Sequence, residues 1–206
     1  MGTSILYSNS TCAEDTKNVG KMTKISFIEV LTKWSSVLNA ARTTSGKEPV
    51  EKVPSSVWKK KILLAEHSPI RLLLINWRWS DLRYWVSVHF VRHKIGIEHF
   101  VKTQRTDRTG NSHDRGDLTQ DSPVNHECTA NAQSLINISR KRLCSKASKE
   151  TQEAWRMVLD NLSEPELVSV CVKDCIYRGY CYEMESCGYH KTDAFIRELK
   201  EYRDLN

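Results

Sequence analysis

Apolar residues recur with the period of a helix in the first quarter of the chain. They do so over residues 26–41, behind a capping-box pattern that begins at Ser26, and this predicts a first helix. Ser55 or Ser56 can cap a second helix. Over residues 72–79 apolar and polar residues alternate instead, which predicts a β-strand.

The middle of the chain predicts two more helices and a second strand. Ser80 or Asp81 can cap a helix, and a strand-like alternation resumes after Gly96. Residues 106–122 are polar and predict a loop. A long helix is then expected over residues 123–144, because a proline suits its first turn.

Three helical patterns close the chain, over residues 148–162, from Pro165, and from Thr192. The hydrophobic fraction of 39% and the charged fraction of 27% are typical of a globular protein and exclude a disordered one. We expect residues 1–23, which are polar and show no period, to form a flexible lead. Residues 24–206 are expected to form one domain with a cysteine-rich segment over residues 171–190.

The charge and the cysteine count narrow the class of protein. A net charge of +6 permits phosphate-bearing partners, although a mildly basic protein with no such partner is equally compatible with it. No run of 18 apolar residues exists, so no membrane span is expected. We recognise no export signal, so the seven cysteines are expected to be reduced thiols in a cytoplasm.

Cationic and imidazole side chains are concentrated between residues 89 and 108. Arginine suits bidentate recognition of phosphate, so the segment predicts an anion site, with a solvated surface edge as the alternative. The cations and histidines of this segment are Arg92, Lys94, Lys102, Arg105, Arg108, His89, His93 and His99.

Two further groups have a structural alternative. Arg140, Lys141 and Arg142 end a predicted helix, where cations are favoured by the helix dipole, but Arg142 shares a face with Asn131. Cysteines and a histidine near the C-terminus could bind zinc, could be buried thiols, or could include a disulfide. They are Cys175, Cys181, Cys187 and His190.

Several segments, in order, resemble the flavin-dependent thymidylate synthases, the ThyX family. Arg92-His93-Lys94 resembles that family's Arg-His-Arg signature, and Thr103-Gln104-Arg105 resembles the Ser-x-Arg that follows it. His67-Ser68-Pro69 resembles a His-x-(Ser/Thr)-Pro turn of the family, with Glu66-His67-Ser68-Pro69 standing before a strand. The segment from Asn131 to Arg142 resembles a helix that carries family asparagines and an essential arginine.

The resemblance implies a small, mainly antiparallel sheet flanked by helices, an α/β (α+β) fold with sites formed between the subunits of a homotetramer. It implies reductive methylation of dUMP to dTMP with FAD, NADPH and methylenetetrahydrofolate, and no cysteine nucleophile. Neither nucleic acid nor a membrane is an expected partner, and the location would be the cytoplasm of a bacterium or of a phage-infected host.

The same resemblance assigns roles by position. The residues that would bind FAD are His67, Ser68, Arg92, His93, Lys94, Ile95, Asn131 and Asn137. Those that would bind dUMP are His89, Thr103, Gln104, Arg105, Arg115 and Arg142. Of these, Arg142, Arg105 and Thr103 would take part in catalysis, with Arg142 polarising the pyrimidine ring.

The chain departs from the family pattern at Lys94, which cannot make the bidentate contact of an arginine, and at Thr103. Two alternatives therefore stay open beside the synthase. One is a relative that binds flavin or nucleotide with altered or lost catalysis, including another modification of dUMP. The other is a basic nucleic-acid-binding or zinc-supported interaction protein.

Overall fold

The computed structural model describes residues 22–110 and 114–205. The strands are β1 Lys24–Val30, β2 Leu74–Arg83, β3 Ile97–Val101 and β4 Pro123–Asn131. The α-helices are α1 Trp34–Thr43, α2 Ser56–Leu64, α3 Tyr84–Phe90, α4 Thr106–Thr109, α5 Ala132–Arg142, α6 Lys149–Asn161, α7 Pro165–Val170, α8 Asp174–Arg178 and α9 Asp193–Arg203. Short 3₁₀ turns lie at Ser68–Leu72, Arg115–Asp117 and Tyr189–Lys191. The predicted lead lies outside the described residues except for its last two positions.

The four strands form one antiparallel sheet in the order β1-β2-β4-β3. Helices flank it, so the expectation of an α+β fold with a small antiparallel sheet is confirmed. Alternate residues of β2 and β4 face the core, and those between them face outward, as the period of a strand requires. On the outward face Phe100 is 60% exposed.

Aromatic side chains fill the space between the sheet and helix α6. Trp77 and Trp79 of β2 and Trp155 of α6 are fully buried. The ring centroid of Trp77 lies 5.6 Å from that of Trp79 and 5.9 Å from that of Trp155. Phe90 of α3 stacks on Trp79 at 4.6 Å. The indole N–H of Trp155 donates to Ser139 Oγ at 2.9 Å, which ties α5 to α6 inside the core. This core holds α3 and α5, and with them the polar residues at their ends.

The predicted first helix is wrong over its first half, because residues 24–30 form strand β1. A β-bulge interrupts the pairing of β1 with β2 between Ile25 and Phe27. The bulge shifts the alternation by one residue, so that the sequence neighbours Phe27 and Ile28 are both partly buried. The apolar positions therefore do not alternate strictly over this strand. What remains of the spacing resembles that of a helix.

The predicted long helix over residues 123–144 is also wrong in its first half. Residues Pro123–Asn131 form β4, and α5 begins only at Ala132. The buried face of β4 includes His126 and Cys128, so its inward positions do not form a clear apolar alternation in the sequence. Likewise the predicted cap at Ser80 or Asp81 is wrong, since β2 continues to Arg83.

The predicted caps at Ser55 and Thr192 are confirmed, and the structure adds a third at Ser148. The hydroxyls of Ser55, Ser148 and Thr192 accept hydrogen bonds from the backbone N–H groups of the first turns of α2, α6 and α9. In the part of the chain that the structure describes, no helix has the length and apolar character needed to cross a membrane.

Candidate functional site

The last residue of helix α5, Arg142, forms hydrogen bonds with the ring of His93 and the backbone of His89. Arg142 Nε donates to His93 Nε2 at 2.9 Å, and Arg142 Nη2 donates to the carbonyl oxygen of His89 at 2.6 Å. The His89 ring in turn lies 3.0 Å from Thr151 Oγ1 of α6. The C-terminal ends of α3 and α5 therefore meet, and the structure brings together three of the predicted site residues, His89, His93 and Arg142.

The hydrogen bond from Arg142 fixes the state of the His93 ring. Nε2 accepts, so it carries no proton, and Nδ1 carries the proton of a neutral imidazole. Burial, with Arg142 and His99 nearby, lowers the pKa of His93 to about 4. His93 is therefore neutral at neutral pH, and the positive charge of the group resides on the arginines.

Among the described residues, Arg92 and Arg142 have no acidic partner. Burial and the nearby charge of Arg92 lower the pKa of Arg142, and both arginines lower the pKa of His89 after burial does. Among residues 22–110 and 114–205, neither Arg92 nor Arg142 forms an ion pair with a carboxylate. A half-buried cation without a counter-ion favours an anionic or electron-rich ligand.

The turn after His93 is packed against the start of α5. Gly96 has a φ of +72°, and a Cβ built on it would lie 2.5 Å from the side-chain nitrogen of Asn131. Asn131 caps α5 through Ser134 N, and its own N–H donates to the carbonyl of Gly96 at 2.9 Å. Lys94 and Ile95 are exposed on this turn, Ile95 by 86%. The structure thus places Asn131 beside the predicted flavin-binding turn.

Asn137 belongs to a second polar group on the outer side of α5. Its Oδ1 accepts from Arg140 Nη1 at 3.2 Å. Arg140 also forms an ion pair with Glu66, which accepts a hydrogen bond from Gln133 as well. Glu66 directly precedes His67 in the chain, so this group of polar side chains extends to the residue next to His67.

His67 and Ser68 line an open cleft of about 810 Å³ between α1 and α2. Thr44, Ser45 and Lys61 contribute polar groups to the same cleft. Among the described residues, no hydrogen bond or ion pair connects His67 or Ser68 directly to the Arg92–Lys94 turn.

The predicted phosphate-binding segment follows β3 and is exposed. Arg105 forms a two-point ion pair with Asp107, at 3.0 Å and 2.7 Å, and its N–H donates to Thr103 Oγ1 at 3.2 Å. Gln104 is half-buried, and Arg115 is exposed at the second 3₁₀ turn. Within the described ranges, none of these side chains contacts Arg142.

The four residues predicted to bind zinc line a single small cavity. Cys144, from the end of α5, lines it as well, and no disulfide involves any of these cysteines. His190 Nδ1 lies 3.0 Å from Ser186 Oγ. Their ligand atoms do not form a set of three within 4.8 Å of one another, so this zinc site stays a prediction.

Sequence reasoning missed a compact buried group behind the site. His99 of β3 faces His126 and Cys128 of β4, and the three ligand atoms lie within 4.8 Å of one another. The signal was the spacing His126-x-Cys128, which places both side chains on one face of a strand. It was hidden because the segment was predicted to be helical.

No protein-family model matches the chain, and no curated protein matches its sequence. Among solved structures, thymidylate synthase X (ThyX) from Helicobacter pylori with FAD and dUMP shares 18% identity. Its TM-score is 0.56, over 73% of this chain and 98% of that chain. The chain has the ThyX fold.

Two more structures show the same likeness. A second H. pylori ThyX complex with FAD and dUMP has 17% identity and a TM-score of 0.56, over 74% of this chain and 100% of the other. The UMP/dUMP methylase PolB from Streptomyces cacaoi, bound with 5-Br dUMP, has 11% identity and a TM-score of 0.56. That match covers 72% of this chain and 93% of PolB. The ThyX fold is thus present at nearly full length.

Proposed function

We propose that this chain is a flavin-dependent thymidylate synthase, which converts dUMP to dTMP with methylenetetrahydrofolate and reduced FAD. The observation that carries the proposal is Arg142. Among the described residues it is a half-buried cation without a carboxylate partner, and it is held by His89 and His93. The likeness of the fold to ThyX supports the same interpretation. NADPH would supply the electrons.

Arg142 would stabilise negative charge on the pyrimidine. Two of its five N–H donors are used to fix the plane of the guanidinium, and the others are available to a ring carbonyl. Because the group is already oriented, stabilising the electron-rich ring costs little reorganisation. Neutral His93 and the His89 carbonyl hold the cation without neutralising it.

Thr103, Gln104 and Arg105 would hold the dUMP phosphate. The ion pair between Arg105 and Asp107 is exposed on both sides, by 51% and 59%. Pairs of this kind contribute about 1 kcal/mol or less, so a phosphate dianion can displace the aspartate. Arg115 is a further candidate from the same loop.

The residues of the turn and of the cleft at His67 and Ser68 fit a flavin dinucleotide. Gly96 allows the backbone of the turn to approach Asn131, and the cleft at His67 and Ser68 has room for part of a large ligand. Arg92, Lys94, Ile95, Asn131 and Asn137 would complete the FAD site. When bound, the reduced flavin would supply a hydride.

Cys128, Cys171 and Cys175 are unsuited to nucleophilic attack on the pyrimidine. Burial raises the pKa of Cys171 to about 12 and that of Cys175 to about 11, and burial also raises the pKa of Cys128. Thiols in this state carry almost no thiolate at neutral pH. This supports a route from dUMP to dTMP without a covalent cysteine intermediate.

The proposed site would be completed by a second copy of the chain. Among the described residues no hydrogen bond joins His67 or Ser68 to the Arg92–Lys94 turn, so in a homotetramer the turn of a neighbouring subunit would complete the cleft. Light scattering on the purified protein would measure the assembly.

Methylation of UMP is a second candidate, because PolB resembles the chain as closely as ThyX does by TM-score. The two candidates differ at the 2′-hydroxyl of the ribose. Release of tritium from C5-labelled dUMP and from C5-labelled UMP, measured side by side, would distinguish them.

The first test of the proposal is the visible absorbance of the protein purified without added cofactor. Flavin absorbance, followed by tritium release from C5-labelled dUMP with NADPH and methylenetetrahydrofolate, is the expected result. A colourless protein that also fails to take up FAD would contradict it. Bound flavin without tritium release would favour a binding protein that has lost the reaction.

A further inference from the structure

Three potential metal ligands converge between β3 and β4, directly behind the turn that carries Arg92 and His93. His99 Nδ1 lies 3.0 Å from His126 Nε2, and Cys128 Sγ lies 3.3 Å from each of these nitrogens. His126 and Cys128 are fully buried, and His99 is half-buried. This set of three residues is called the His-His-Cys group below.

Strand geometry explains why the three side chains meet. His126 and Cys128 are two residues apart on β4 and so point to the same face of the sheet. His99 is the direct partner of Cys128 in the β3–β4 register. The ring of Trp79, with its centroid 5.5 Å from that of His126, closes one side of the group.

The His99 ring is oriented as a metal ligand. Its Nε2 lies 2.8 Å from the carbonyl oxygen of His93, which can only accept, so Nε2 carries the proton. Nδ1 therefore presents a lone pair to His126 and Cys128. A histidine that binds a metal typically donates its other N–H to a backbone carbonyl in this way.

Hydrogen bonding alone does not account for all three contacts. With Nδ1 of His99 unprotonated, at most two protons lie between the three atoms, one on His126 Nε2 and one on Cys128 Sγ. Two protons satisfy at most two of the three contacts, for example from His126 Nε2 to Sγ and from Sγ to His99 Nδ1, and the third pair of atoms has no proton between them. A cation at the centre of the triangle would instead be bound by all three atoms at once.

We propose that the His-His-Cys group binds a zinc ion. Two imidazole nitrogens and one thiolate are ligands that zinc prefers, with bonds of about 2.0–2.1 Å and 2.3 Å. In a tetrahedron those bonds place the ligand atoms roughly 3.3–3.6 Å apart. The observed separations of 3.0–3.3 Å are slightly shorter, so a small outward shift accommodates the ion.

Binding would release one proton to solvent, because Cys128 must become a thiolate. Burial raises the pKa of the free thiol, so the charge of the metal is what would stabilise the thiolate there. A water molecule would complete the coordination, since the described residues offer three ligands at this point. The site would join β3 to β4 and, through the His93 carbonyl, hold the turn that carries Arg92. The proposal does not depend on the activity proposed above.

The decisive measurement is the zinc content of the full chain, purified without chelator and dialysed against zinc, together with X-ray absorption at the zinc edge. We expect about one zinc per chain, bound by two nitrogens and one sulfur. This spectrum needs no variant. A chain that takes up no stoichiometric zinc would overturn the proposal, and so would a first shell of three or four sulfurs, which would place the ion in the C-terminal cysteine cavity.

Matched variants locate the ion independently. Cys128→Ser and His99→Gln are each expected to lose the zinc, whereas Cys187→Ser, an exposed cysteine of the C-terminal cavity, is expected to keep it. Circular dichroism would check that each variant is folded. Loss of zinc from Cys187→Ser with retention in Cys128→Ser would contradict the assignment.

Discussion

At the scale of single residues, the candidate site depends on how one arginine is held. Arg142 donates through Nε to a ring nitrogen of His93 and through Nη2 to the backbone at His89. These two bonds fix the plane of the guanidinium, which a lysine could not reproduce. Its value to the site is therefore a charge with a fixed direction.

Replacing Arg142 with alanine should remove this oriented charge and leave the chain folded. We expect turnover of dUMP to fall on the order of 100-fold or more, because an oriented cation is lost. The unfolding free energy should fall by about 1 kcal/mol per lost hydrogen bond. Lys141→Ala, one residue away and exposed, is the matched control and should retain activity. Equal activity in both variants would contradict the role of Arg142.

His89 should contribute to a loss of stability in acid. Burial, Arg142 and Arg92 lower its pKa from 6.5 in the folded protein, so the unfolded chain binds the proton first as the pH falls. Its contribution is fully present above pH 6.5 and is lost as the pH falls toward the folded pKa. Urea unfolding at several pH values should show a shallower acid dependence for His89→Gln. Identical slopes would contradict this.

At the scale of elements, the turn between α3 and β3 is the part that connects the site. Its last residue, Gly96, accepts a hydrogen bond from Asn131 N, and Asn131 caps α5. The same turn receives the Arg142 hydrogen bond from the other end of α5. Both ends of that helix therefore hold one turn, which limits its movement relative to the core.

Gly96→Ala should destabilise this arrangement more than a comparable change elsewhere. Gly46 also has a positive φ, +66° against +72°, but a Cβ there meets nothing within 4 Å, whereas at Gly96 it meets Asn131. We expect Gly46→Ala to cost about 1 kcal/mol from the backbone alone. Gly96→Ala should cost at least about 1 kcal/mol more, because the cap of α5 is disturbed too. Equal losses in urea unfolding would show that the turn can adjust.

At the scale of the whole molecule, a net charge of +6 acts together with Arg142 at the end of α5 and Arg92 on the adjacent turn. Neither pairs with a carboxylate among the described residues. A phosphate-bearing ligand approaches a positive molecule and then meets a local cation. Screening by salt weakens both effects for exposed groups such as Arg105.

Affinity for dUMP should therefore fall as salt is raised from about 0.05 to about 0.5 M, since the Debye length shrinks several-fold. Deoxyuridine has no phosphate and is the matched control ligand. Its weaker binding should change little over the same range, which titration calorimetry can measure. Parallel losses for both ligands would contradict an electrostatic phosphate site.

Much of the local structure can be predicted from the sequence, because each signal lies within a few residues. The caps at Ser55, Ser148 and Thr192 and the alternation after Gly96 all depend on neighbours within a few residues. The resemblance to ThyX likewise rested on short segments in order. The fold it implied is confirmed, whereas the roles of the individual residues remain predictions.

The sequence by itself determined the helices with clear caps and the cationic character of residues 89–108, and its resemblance to ThyX implied the α+β class. Only the tertiary structure decided that residues 24–30 and 123–131 are strands, because a bulge in β1 and polar buried positions in β4 removed the local period. Pairing with β2 and β3 overrides that weak local preference, since cross-strand contacts stabilise a strand more than propensity does. The same pairing brings His99 to His126 and Cys128, residues that are far apart in sequence. Contacts of this kind depend on strand register, which the three-dimensional fold sets.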